Sequence, residues 1–175
     1  RPSELGAGSI VSLVREVSKM AERTRLLYLY PSDLSDALID AICDTGVPYF
    51  DLSLQHVSKP LLRRMRRWGD GQRFLNRISD IRSREPDAAF RSNFIVGYPG
   101  ETEEQFEELK EFVRTTRFER MGCFTYSHEE NTHAYLLKDD VPEEVKERRV
   151  ADLMEIQGQI SFDLNQEKVG KTFKC

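Results

Sequence analysis

Two stretches of this chain, residues 49–70 (YFDLSLQHVSKPLLRRMRRWGD) and 91–113 (RSNFIVGYPGETEEQFEELKEFV), each run from an apolar strand through a turn into an amphipathic helix. That order constrains the fold more than any other feature, because strands joined by helical crossovers argue for a parallel sheet. Each block also puts polar groups where its strand ends. In α/β sheets and barrels, sites form at that edge, outside the carboxyl ends of the strands.

The same alternation continues through the rest of the chain. Apolar residues at 10, 11, 13, 14, 17 and 20 make a helical stripe over 10–22, and RLLYLY at 25–30, closed by Pro31, reads as a short buried strand. Ser32 or Asp33 is expected to cap the next helix, whose stripe includes Leu34, Leu38, Ile39 and Ile42, with Gly46 ending it. Further strands are expected at 49–54, 90–98 and 121–126. Helices are expected after Ser58, over 72–84, after Thr102 with Gln105 at the capping-box position, and from Pro142 to 165. Residues 127–140 read as a long polar loop. Four strands are too few to close a barrel. The expected architecture is α/β, a partial (β/α) barrel of mostly parallel strands, open on its amino-terminal side, with a long C-terminal helix leading toward a further domain.

At 175 residues and 39% hydrophobic content the chain can bury one sizeable core. Its net charge of -4 gives no global pull toward nucleic acid, so no DNA partner is expected and any contact with RNA would be local. No apolar run reaches the ~20 residues that span a bilayer, and no membrane partner is expected. The three cysteines, Cys43, Cys123 and Cys175, lie tens of residues apart, which is neither a cluster motif nor a zinc-ribbon spacing. An odd number without framework spacing fits a reducing compartment, and the cytoplasm is the expected location. Residues 1–9, rich in Gly, Ser and Pro, read as a linker or a loop cut open, and VGKTFKC at the other end reads as a strand that has only begun. The chain is expected to be a segment of a longer protein.

Several residues could carry chemistry. Gln55 and His56 end the second strand, where neutral donors and acceptors suit ribose hydroxyls, an amino group or a carboxylate, although a QH pair also serves to satisfy a turn. Arg63, Arg64, Arg66 and Arg67 flank Met65, with Trp68 beside them; guanidinium groups suit carboxylate or phosphate, and helical spacing sends 63, 66 and 67 to one side and 64 to another. At most two of them are expected to be functional. IVGYPGET lacks the Lys and the glycine spacing of a phosphate loop; Gly97 is expected to let a ligand approach the backbone at the strand end, while Pro99 and Gly100 force the turn. In YSHEENTHAY, His128 and His133 are five apart in a loop-like context, so a substrate-facing loop is expected there rather than a metal site. The acidic helices EEQFEELKEF and VPEEVKERR read as solvated faces.

An ordered series of motifs, YLYPSDL, YFDLSLQHVS with LLRRMRR, RSNFIVGYPGETEEQFEELKEF, RMGCFTYSHEENT and IQGQISFDLNQEKVGKTF, resembles the radical S-adenosylmethionine methylthiotransferases. Within them the chain is similar to the branch that modifies a ribosomal protein: tRNA-modifying members are expected to carry a QS pair instead of Gln55-His56, and an Arg-Pro-Gly loop instead of His128-Glu129-Glu130-Asn131. The resemblance implies a barrel of the radical SAM type and two 4Fe-4S clusters in the parent protein, one of which cleaves S-adenosylmethionine to a deoxyadenosyl radical. That radical abstracts hydrogen from an unactivated carbon before a methylthio group is installed. The implied substrate is an aspartate β-carbon of small-subunit ribosomal protein twelve, free or in the ribosome, and a reductant protein is the other implied partner.

On this reading residues 10–141 are the C-terminal part of the radical SAM core, 142–167 a connecting helix, and 168–175 the start of a TRAM domain. The family's C-x3-C-x2-C cluster motif is absent, so no metal ligand and no catalytic residue is assigned to the segment, which is expected to be inactive alone. Asn131 stands where a Gly is expected, and WGDG follows the Arg cluster where a Gly-Thr pair is expected, which leaves local loop geometry open. The residues expected to bind cofactor are Gln55, His56, Arg66, Arg91, Asn93 and Gly97. The alternatives are a tRNA isopentenyladenosine methylthiotransferase and a noncatalytic module that binds the ribosome or RNA.

Overall fold

A computed structural model describes residues 8–172. Its elements follow the order α1 (Ser9–Met20), β1 (Leu26–Leu29), a 3-10 turn (Pro31–Asp33), α2 (Asp36–Cys43), β2 (Tyr49–Gln55), α3 (Lys59–Arg64), α4 (Gly71–Arg84), β3 (Ala89–Val96), α5 (Glu103–Thr116), β4 (Arg120–Thr125), a second 3-10 turn (Ala134–Leu136) and α6 (Glu143–Gln166). The strands form one sheet in the order β1-β2-β3-β4, and every neighbouring pair is parallel. This is the expected partial barrel.

The sheet sorts its side chains with period two. Phe50, Leu52 and Leu54 of β2 and Phe90, Phe94 and Val96 of β3 are buried beneath the helices. Phe50 stacks on Phe90 at 5.2 Å, and Phe94 meets Phe112 and Phe118 edge-on at 6.4 and 5.9 Å. The opposite rows, Asp51, Ser53 and Gln55 with Arg91, Asn93 and Ile95, belong to the open, inner face, where Gly122 and Phe124 of β4 stand opposite Asn93 and Ile95. The long α6 packs on β4 and α5 through a stripe of Lys146, Arg149, Leu153, Gln157 and Ile160. The first two members of that stripe are buried cations.

Local signals resolve in different ways. Thr102 forms the full capping box with Gln105. The cap expected at Ser32 or Asp33 falls instead on Ser35, whose hydroxyl accepts from Leu38 N, because Pro31–Asp33 closes its own 3-10 turn first. Residues 168–172 carry no regular strand, and residues 1–7 and 173–175, which hold most of the expected linker and Cys175, lie outside the described residues. Among the described residues, no helix is long and apolar enough to cross a membrane.

Candidate functional site

At the carboxyl ends of β2, β3 and β4 the sheet opens into a cleft of about 600 Å³. Gln55, Asn93 and Ile95 lie on its strand side, Met65, Tyr98, Phe124 and Tyr126 supply apolar walls, and Arg66, Glu129, Thr132 and His133 line the exposed rim. A volume of this order suits a nucleoside-sized ligand.

Backbone irregularities place its polar groups. The β2–β3 register shifts between Leu52 and Gln55, so Gln55 pairs with Phe94 where the regular ladder would have placed Leu54. Gln55 itself has φ 69°. Such a bulge re-aims the strand's last side chain. Asn93 owes its position to Gly122, where an added Cβ would stand 2.7 Å from Asn93 Oδ1. Three of the five described non-glycine residues with left-handed backbone, Gln55, Arg66 and Asn131, lie at this end of the sheet. Each such residue costs on the order of 1–3 kcal/mol, and strain of this kind gathers at ligand sites.

Beneath the cleft lies a buried ionic network. Glu101 accepts from His56 Nε2 at 3.1 Å, from Arg149 at 2.8 Å and from the Gly97 N–H. The Ser58 N–H donates to His56 Nδ1 at 3.0 Å, which leaves the ring proton on Nε2, facing Glu101. Arg149 also reaches Glu103 at 3.0 Å and holds that carboxyl below the usual range. Lys146, one turn earlier, fills the space over Gly97, so this glycine (φ 74°) makes room for a lysine stem and not for a ligand. Burial pushes the Lys146 ammonium down, but its hydrogen bond to Asp139 at 2.9 Å and the Glu143 carboxylate push it up further, and the net shift is upward. These contacts fasten α6 to the turn after β3 and to the loop that forms the rim.

The four arginines separate because α3 ends at Arg64 and the chain then passes through Met65 into a left-handed Arg66 (φ 57°), so helical spacing does not govern them. Arg64 donates to Pro99 O at 2.7 Å, and Arg67 donates to Ser53 O and lies over the Tyr30 ring at 4.9 Å. Arg66 reaches across the mouth to His133 Nδ1 at 3.2 Å. In the facing loop the His128 ring lies 4.6 Å from Tyr135, and Tyr126 OH and His128 Nδ1 are 3.1 Å apart. The Tyr98 and Tyr126 rings meet edge-on at 5.1 Å, and burial pushes both phenols up.

Of the six residues expected from sequence, Gln55, Arg66 and Asn93 come together on the cleft. His56 and Gly97 lie under its floor, held by Glu101, and neither lines it. Arg91 does not line the cleft: it lies two residues toward the amino end of β3 from Asn93, 3.5 Å from Asp51, its register partner on β2, in an adjoining hollow lined also by Tyr49, Arg120, Asn93 and Phe124. Sequence reasoning missed Tyr98, Phe124, Glu101, Lys146 and Arg149. The last two were within reach, since 146 and 149 keep the helical period of Leu153, Gln157 and Ile160.

A family model described as the Radical SAM superfamily matches residues 7–113, and the chain belongs to that superfamily. Among its relatives are proteins named ribosomal protein uS12 methylthiotransferase RimO. The one from Flavobacterium johnsoniae is 50% identical over 160 residues, covering 88% of this chain and 36% of the relative. That from Aquifex aeolicus is 50% identical over 149 residues, 84% of this chain and 34% of the relative, and that from Chlorobium limicola 47% over 168 residues, 94% and 39%. The chain therefore spans about a third of the length of the curated relatives it matches.

Two solved structures share the fold. Coproporphyrinogen III oxidase (HemN) from Escherichia coli, described as a radical SAM enzyme, matches with a TM-score of 0.65 at 20% identity, over 94% of this chain and 38% of that one. Elp3 from Methanocaldococcus infernus matches with a TM-score of 0.53 at 12% identity, over 86% and 39%. At these identities the likeness carries the fold alone.

The superfamily implies S-adenosylmethionine and a 4Fe-4S cluster. The cleft suits the first, with neutral amide donors and acceptors at Gln55 and Asn93 and apolar walls. The described cysteines do not suit the second. Burial pushes the Cys123 thiol up to about 12, its register partner Phe94 faces the helices, and burial raises the Cys43 thiol as well. Among the described residues no group of three or more His, Cys, Asp or Glu could hold a metal ion.

Proposed function

We propose that this chain forms the carboxyl-side part of the radical core of a methylthiotransferase that modifies the β-carbon of an aspartate in ribosomal protein uS12. The observation that carries this reading is the 50% identity, across 88% of the chain, to a relative named for modifying uS12. On this reading S-adenosylmethionine lies along the strand ends, where Gln55 and Asn93 offer amide groups to its ribose and amino acid portion and Ile95, Tyr98 and Tyr126 exclude water from its base. When bound beside a cluster held elsewhere in the protein, it supplies radical hydrogen abstraction.

The chain's own residues provide the wall. His56 and Glu101 hold the floor turn in place, Gly97 admits Lys146 beneath it, and the loop after β4 faces the acceptor. Arg91, tied to Asp51 outside the cleft, is left out of this set. The clusters and a reductant protein act from outside the segment. The proposed setting is the cytoplasm, and α6 leads toward a TRAM domain.

The test is mass spectrometry of ribosomal proteins and tRNA after reaction with the anaerobically reconstituted intact protein, S-adenosylmethionine, reductant and a sulfur source. A methylthio adduct on the uS12 aspartate is expected. An adduct on tRNA alone contradicts the proposal.

A further inference from the structure

Of the three arginines that line the cleft, two are committed to the protein itself: Arg64 and Arg67 are anchored on main-chain carbonyls. Arg66 differs. Its guanidinium contacts a neutral acceptor, His133 Nδ1 at 3.2 Å, and among the described residues it forms no ion pair with a carboxylate. It also occupies a costly position. Just past the end of α3, with φ 57°, it sits where a chain turning out of a helix favours glycine. An arginine there gives up backbone ease and gains only its side chain.

That side chain lies at the mouth. Arg66 and His133 are both exposed, on opposite walls, whereas Gln55 and Asn93 below them are half-buried. The acidic residue that lines the rim, Glu129, is held within its own loop by the Ser127 hydroxyl. A carboxylate arriving from outside is a stronger acceptor for a guanidinium than an imidazole nitrogen, and it can take two of its N–H groups at once.

We propose that Arg66 and His133 form a carboxylate subsite at the cleft mouth, occupied by the acidic side chain of the polypeptide acceptor, which replaces His133 on the guanidinium. This inference rests on the methylthiotransferase reading and deepens it. A cofactor carboxylate would present the same chemistry, but the exposure of both groups favours the acceptor. The subsite makes Arg66 a specificity residue that separates an aspartate from its amide.

The experiment uses the intact, cluster-loaded protein with two forms of uS12, one with the natural aspartate and one with asparagine in its place. The wild type is expected to prefer the aspartate form. Arg66→Gly, which relaxes the backbone, is expected to melt no lower than the wild type and yet to raise the KM for the aspartate form roughly tenfold, erasing most of the preference. Arg66→Lys restores part of it. Unchanged preference in Arg66→Gly overturns the subsite, and so does a tenfold rise in the KM for S-adenosylmethionine with the acceptor KM unmoved, which would give Arg66 to the cofactor. If the wild type consumes S-adenosylmethionine but modifies neither form, the methylthiotransferase reading fails and the subsite falls with it.

Discussion

Glu119 and Glu101 work at opposite ends of β3, and each ties a backbone N–H to an arginine. Glu119 accepts from Phe90 N at 2.6 Å and from Arg82 at 3.2 Å, with its side chain 23% exposed. Glu101 accepts from Gly97 N and from Arg149, adds His56, and has a side chain that is 0% exposed. At the amino end the β2–β3 register is regular from Tyr49↔Ala89 to Leu52↔Ser92; at the carboxyl end it breaks at a bulge and the strand ends in a left-handed Gln55. The same chemical device thus serves an ordinary ladder at one end and supports a strained cleft at the other. Burial sets how much each end depends on it.

The largest effect is expected from Glu101→Ala in the intact protein. It leaves Arg149 buried without its main partner and strands the His56 Nε2 proton, which should cost about 3–5 kcal/mol in denaturant unfolding. Glu119→Ala should cost about 1–2 kcal/mol, the scale of a partly solvated charge-assisted bond. Equal losses at the two ends would break the comparison.

A smaller effect is expected from acid. The Arg149 hydrogen bond holds Glu103 below its ordinary value of 4.5, so its contribution is complete above 4.5 and fades as pH falls through the lower folded value. The melting-temperature gap between wild type and Glu103→Gln should therefore shrink as pH drops from about 6 toward about 3. Glu103 is largely exposed, so the gap should be modest and should close further in high salt. Least of all should change at Cys123: with its thiol pushed up to about 12 by burial, alkylation in the folded protein near neutral pH should be far slower than in the unfolded chain. Fast native labelling would show that β4 opens.

The frame of the molecule was legible because its signals are local. Alternating residues wrote β2 and β3, the Thr102–Gln105 spacing wrote the start of α5, and Pro142 wrote the start of α6. The site was less so. His56, Glu101 and Arg149 are separated by 45 and 48 residues, and nothing local in the sequence announces that they meet. His56 was therefore expected in the cleft when its partner lies beneath it. Gly97 showed that a side chain had to be absent, but the occupant of the space, Lys146, comes from a helix 49 positions later. Arg91 was expected among the cofactor-binding residues, and it stands two pleats down the inner face from Ile95, toward the amino end.

The most direct test of the carboxyl-edge cleft as the cofactor site is equilibrium binding of S-adenosylmethionine to the intact protein carrying Asn93→Ala or Arg91→Ala. These residues lie on the same strand and inner face, one lining the cleft and the other paired with Asp51. Asn93→Ala should weaken binding about tenfold, the loss of one or two well-placed hydrogen bonds, while Arg91→Ala stays within about twofold of wild type. The reverse order would contradict the account and move the cofactor to the other end of the sheet.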